Sequence, residues 1–134
     1  MGYVEQTISD IINKTVYLKV IEQNAISGTK FIRKVVIDDG QFPIVNAVSE
    51  FDSKNLSESV LRDLFEKKES IGNILRKNNI KAERQSVRIE FNRDRKKIIR
   101  TYQIVHNNSI WFQVSEDIRL DFIYACKYRG GSHS

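Results

Sequence analysis

Two ions in this chain stand where core residues would be expected. In Phe31-Ile32-Arg33-Lys34-Val35-Val36-Ile37 the odd positions read Phe, Arg, Val, Ile. In Ile110-Trp111-Phe112-Gln113-Val114-Ser115-Glu116 the even positions read Ile, Phe, Val, Glu. Side chains two apart on a strand share a face, so Arg33 and Glu116 each project from an apolar one. Burying a charge is costly unless a partner or a ligand matches it. A guanidinium and a carboxylate facing one interior would suit a small, polar, anionic guest. The same pattern also fits an internal Arg33–Glu116 ion pair, or two strand ends reaching water. Residue types alone leave these readings open.

Other kinds of site find little support. No Walker-type phosphate loop occurs, and no glycine-rich dinucleotide fingerprint follows a strand pattern. The two histidines, His106 and His133, fall in a turn and a tail, and metal centres need clusters of Cys, His or carboxylates. No serine sits in a nucleophile-elbow setting with an internal histidine to serve it. The chain is therefore expected to work with no metal and no cofactor. Elimination, isomerisation or binding alone remain.

The bulk properties frame the elements that must position Arg33 and Glu116. A length of 134 residues supports one domain with a real core, and 40% hydrophobic with 29% charged residues is ordinary for a soluble fold. No apolar run approaches the roughly 20 residues that span a bilayer, and MGYVEQTISD lacks the layout of a secretory signal. Cys126 is the one cysteine, so no intrachain disulfide can form and a cytoplasmic location is expected. It reads as a packed side chain, not a nucleophile.

A net charge of +5 and a pI near 9.4 raise the question of nucleic acid. The basic residues are scattered, however, apart from Arg93–Lys97 and nearby Arg100, which read as a solvated hairpin turn. A nucleic-acid surface would interleave exposed aromatics with Lys and Arg, whereas Tyr102, Trp111 and Phe112 follow core or mixed-face patterns. The expected partner is a small anionic ligand, with neither nucleic acid nor membrane.

Periodicity predicts a short helix over Val4–Ile12, then strands over Thr15–Gln23, Thr29–Asp38 and Phe42–Phe51. Asp38-Asp39-Gly40-Gln41 is hairpin chemistry joining the second and third. Leu56, Val60, Leu61, Leu64 and Phe65 form a helical stripe that Ser53 or Asn55 could cap, and Ser70 opens a second helix bearing Ile71, Ile74 and Leu75. Strands follow over Arg84–Asn92, Ile98–His106 and Ile110–Leu120, with Phe122–Tyr128 extending or following the last. His106-Asn107-Asn108-Ser109 reads as a tight turn. Strands in runs with helices in a block imply an α+β domain. Here that means one domain over residues 1–129, a mainly antiparallel six-stranded sheet with a helical pair inserted between strands, and residues 130–134 as a flexible tail.

In their order these motifs resemble the chorismate pyruvate-lyase-like family. The run Phe31–Ile37, then Asp-Gly, then Phe42-Pro43-Ile44-Val45-Asn46-Ala47-Val48-Ser49 is similar to its central strands. Glu69-Ser70-Ile71-Gly72-Asn73-Ile74-Leu75 resembles its P-L-G-x-x-L segment. Ala82-Glu83-Arg84-Gln85 stands where an acidic–arginine pair is common, and Trp111–Ile118 resembles its closing strand. The resemblance spans about residues 4–118. It implies a compact α+β enzyme that removes pyruvate from chorismate to leave 4-hydroxybenzoate. It also implies Arg33 under the substrate carboxylate, the backbone amides of Ile71 and Gly72 on that carboxylate, and Glu116 against the ring hydroxyl. Arg33 and Glu116 would be the catalytic pair.

Such chemistry suits these residue types. A guanidinium grips a carboxylate in a bidentate fork, and amides near a helix start add positive charge without titrating. Elimination restores an aromatic ring, so it needs mainly orientation and placed charge. Three departures stand out. The family usually has further N-terminal helices and a Gly-Ser-x-Thr-like segment where this chain begins, so part of the ligand cover is expected to be missing. Position 71 is Ile where Leu is usual, and Ile110 stands where proline is common. Arg84 shares simple strand parity with Ser86 and Arg88, the polar side, and is not taken as a ligand unless a bulge turns it inward. An alternative is a non-catalytic effector-binding module like those of GntR-type regulators (the UTRA class), to whose ending Ile118–Ile123 is similar.

Overall fold

In a computed structural model, which describes residues 3–131 of the backbone and the side chains of residues 4–128, one sheet carries the whole architecture. Helix α1 (Tyr3–Ile12) is followed by β1 (Tyr17–Ser27), β2 (Lys30–Asp38) and β3 (Pro43–Asp52). A 3-10 turn (Ser53–Asn55), α2 (Glu58–Phe65) and α3 (Ile71–Lys77) come next, then β4 (Glu83–Asn92), β5 (Lys97–His106), β6 (Ser109–Arg119) and α4 (Leu120–Gly131). The six strands lie in the order β1-β2-β3-β6-β5-β4, and every neighbouring pair is antiparallel. This is the expected α+β domain with its helical pair inserted between strands.

The turns form as their residues dictate. At the β2–β3 hairpin Asp38 accepts from the Gly40 amide at 2.8 Å, and Asp39 accepts from the amides of Gln41 and Phe42 at 3.0 and 2.8 Å. Gly40 sits at φ +97°, a region closed to most side chains. At the β5–β6 hairpin Asn107 and Asn108 take φ of 49° and 62°, which asparagine tolerates. Ser70 caps α3 by accepting from the Asn73 amide, as expected. The cap of α2 is Ser57, not Ser53 or Asn55, because Asp52 captures Lys54 and curls those residues into the 3-10 turn.

Cross-strand partners share a face, and the register reveals two rows through the middle of the sheet. One runs Gln23, Arg33, Ser49, Val114, Tyr102, Ser86; the next runs Val35, Ala47, Glu116, Arg100, Ile89. The helices cover this inner face with two separate apolar clusters. Val60 and Leu64 of α2 and Ile74 and Leu75 of α3 pack on Phe51, Tyr102, Ile104, Phe112 and Val114. Ile8 and Ile12 of α1 and Cys126 of α4 pack on Ile37 and Val45.

One element departs from expectation. Phe122–Tyr128 is not strand but the body of α4. Phe122, Ile123 and Cys126 fall at helical spacing and all join the second cluster, so packing prevails over the strand preference of the aromatics. The expected tail at 130–134 overlaps the end of α4 at Gly130 and Gly131, and residues 132–134 lie outside the described residues. No helix among the described residues is long and apolar enough to cross a membrane.

Candidate functional site

Between the two clusters lies a cavity of about 70 Å³. Arg33 from β2, Glu116 from β6, and Ile71 and Gly72 from the start of α3 all line it, so one hollow gathers the four residues singled out in the sequence. Glu5, Ser49, Ser70, Arg84 and Tyr102 are the other polar residues of its wall. Val4 of the first helix, α1, also lines it.

Arg33 is the largest fully buried side chain among the described residues. Its Nη2 donates to the carbonyl of Glu69, the residue just ahead of the α3 cap, and so ties the guanidinium to the mouth of that helix. Nε and Nη1 are buried with no hydrogen-bond partner. Burial drives its pKa down, to about 10. At neutral pH this is a full cation in the wall of the cavity.

Glu116 has different company. Its Oε1 accepts from Arg100, with Nε at 2.8 Å and Nη2 also bonded, and its Oε2 accepts the Tyr102 hydroxyl at 3.0 Å. Burial, followed by the Glu116 charge, raises the Tyr102 pKa, so the phenol stays a donor. The internal Arg33–Glu116 ion pair considered from the sequence is therefore replaced by Arg100–Glu116. Arg100 does not decorate a solvated turn; it sits in the Glu116 row of the inner face. The signal was present, since Ile98, Arg100, Tyr102 and Ile104 alternate as the Arg33 strand does.

Arg84 is the second residue that simple parity misplaces. A bulge at Val87 shifts the β4–β5 register between Ser86 and Arg88. Before it, Arg84 pairs with Ile104 and Ser86 with Tyr102, on the inner face; after it, Arg88 pairs with Thr101 on the outer one. The Arg84 guanidinium lies over the Tyr102 ring, 5.4 Å from its centre. A Cβ on Gly72 would meet Arg84 Nη2 at 3.1 Å, so glycine there lets the cation and the helix start approach. A second hollow of about 180 Å³ shares Gly72, Arg84 and Ile104 with the first, which places Arg84 at their common wall.

Cys126 is fully buried in α4 and donates its thiol to Asp39 Oδ2 at 3.1 Å. Burial, followed by that carboxylate, pushes the thiol pKa up to about 12. It is packing, as expected. Among the described residues no group of His, Cys, Asp and Glu could hold a metal ion.

Against this geometry one comparison is informative. The chain is similar to the protein named "Putative lyase MJ0807" of Methanocaldococcus jannaschii, with 26% identity over 132 residues covering 86% of this chain and 71% of that one. The likeness is distant. The chain matches no protein-family model.

Proposed function

We propose that this chain is a cofactor-independent carbon–oxygen lyase of chorismate pyruvate-lyase type, acting on chorismate or a related aromatic acid. The observation that carries the reading is Arg33, a buried cation with two unpartnered nitrogens in the wall of a cavity that Glu116 also lines. Buried donors without partners are rare and costly, and a ligand carboxylate on the Nη1–Nη2 edge would satisfy Nη1, one of the two. The likeness to a lyase-named protein supports the same class of chemistry.

In this reading Arg33 forks the ring carboxylate, with the first amides of α3 at Ile71 and Gly72 beside it. Those amides have no acceptor within the helix. Glu116 lies two strands away from Arg33 on the same face, about 10 Å in sheet spacing, the opposite end of a six-membered ring. A carboxylate offers about four acceptor positions, and three bonds from Arg100 and Tyr102 leave room for one from a ligand hydroxyl. Glu116 thus acts as an oriented acceptor for the 4-hydroxyl. The ether C–O bond breaks, and the proton lost from the ring carbon bearing the hydroxyl is taken up by the departing enolpyruvate, which becomes pyruvate. Aromatisation drives the step, so fixed charge and orientation suffice. The hollow is about half the roughly 150 Å³ that admits a benzene ring in an engineered cavity, so substrate entry requires Arg84 or α1 to give way. The proposal includes a cytoplasmic setting.

The second reading, an aromatic-acid binding module without catalysis, is favoured by the tie between Glu116 and Arg100. The purified protein is given chorismate, and 4-hydroxybenzoate and pyruvate are measured. Both products above the uncatalysed background support the lyase. No product, with a melting temperature raised by 4-hydroxybenzoate, transfers the reading to the binding module. No product and no shift rejects both.

A further inference from the structure

The sheet ends on β4, and no residue of this strand is buried. Edge strands offer unpaired amides and carbonyls to any other strand, and proteins normally blunt them. The opposite edge, β1, is broken by two register shifts, whereas β4 has one, at its middle. From that point Val87, Ile89 and Phe91 stand 61%, 64% and 59% exposed. Three large apolar side chains in a row on an open edge are a docking surface.

The order of residues says what fits there. Val87-Arg88-Ile89-Glu90-Phe91 reads apolar, plus, apolar, minus, apolar, which is complementary to itself when reversed. A two-fold axis through Ile89 would run two copies of β4 antiparallel and set Arg88 opposite Glu90 of the second copy, twice. Val87 would face Phe91 of the second copy, and Ile89 would meet itself. Sliding by two residues keeps the faces but sets Arg88 against Arg88, or Glu90 against Glu90. Like charges directly opposite are unfavourable, so one register is singled out. Within one chain Arg88 and Glu90 already pair on the outer face, away from the cavity.

We propose that β4 is a homodimer interface, joining two copies of this chain by strand addition into one twelve-stranded sheet. Such a contact is isologous, as two-fold assembly requires, and main-chain hydrogen bonds supply much of its strength. One strand per copy is small against a standard interface, so the association is a concentration-dependent one in the micromolar range. The inference is independent of what the cavity binds.

Sedimentation equilibrium of the full chain tests it. The native protein is expected to move with concentration from 15.6 kDa toward twice that mass. Arg88→Glu faces Glu90 with a like charge at both positions and is expected to weaken dimerisation about tenfold or more. The double variant Arg88→Glu/Glu90→Arg restores opposite pairs and is expected to return to within about threefold of native. Both positions are exposed, and circular dichroism with a melting curve confirms that the variants fold. A native chain that stays monomeric at several hundred micromolar overturns the proposal. So does a dimer indifferent to Arg88→Glu, or one that the double variant fails to restore.

Discussion

Arg100 reaches Glu116 across the β5–β6 pair through both Nε and Nη2. That pairing leaves Arg33 as the cation with donors to spare.

Arg33→Gln is expected to bind 4-hydroxybenzoate at least tenfold more weakly while leaving the melting temperature unchanged or higher. The native guanidinium has two unsatisfied buried nitrogens, so removing it relieves a desolvation cost. Arg33→Lys is expected to lose more than about 1 kcal/mol of binding, because an ammonium cannot form the bidentate fork. Calorimetric titration beside thermal melts separates the two effects. Binding equal to that of the native chain in both variants would show Arg33 to be structural.

Glu116→Gln breaks a network instead. It removes the charge that Arg100 and Tyr102 share and is expected to cost about 1–2 kcal/mol of stability, a modest figure because Arg100 is partly solvated. Tyr102→Phe deletes one hydrogen bond and keeps the ring beneath Arg84 and Arg100, so about 1 kcal/mol is expected. Urea denaturation reads both. A Tyr102→Phe loss exceeding that of Glu116→Gln contradicts this ordering.

Acid should weaken the β2–β3 turn through Asp39. Burial raises its pKa, but the Phe42 amide, the Cys126 thiol, the Gln41 amide and Lys14 together outweigh it, and the net shift is downward. A carboxylate with a lowered folded pKa stabilises above its ordinary value, about 3.9, and loses that contribution as pH falls through the folded value. Asp39→Asn is therefore expected to be less stable than the native chain near neutrality, with the gap closing below about pH 4. Urea midpoints against pH check this; a gap independent of pH excludes it.

Cys126 should be silent. With its thiol buried and its pKa near 12, it is expected to resist a disulfide-exchange reagent in the folded protein and to react fully in denaturant. Rapid labelling under native conditions would mean that α4 opens readily.

Much of this was legible in the chain itself. Six strands and the α2–α3 pair followed from alternation and from the stripe through Val60 and Leu64, and the same alternation picked out Arg33 and Glu116. Three features were harder to read. Arg100 obeys the alternation rule but lies beside a basic run whose solvated reading masked it. Arg84 turns inward through a one-residue bulge at Val87, and a bulge breaks parity without leaving a mark in the pattern of residue types. The aromatics of α4 favour strand locally, and only the cluster beneath Phe122, Ile123 and Cys126 makes them helical.

Because the cavity is walled by residues of both apolar clusters, an occupant would act as a keystone between two otherwise distinct halves of the inner layer. Filling it should couple their opening. Amide exchange would then slow in α1 and α3 together, although these helices lie in different clusters, and the empty protein would let each breathe alone.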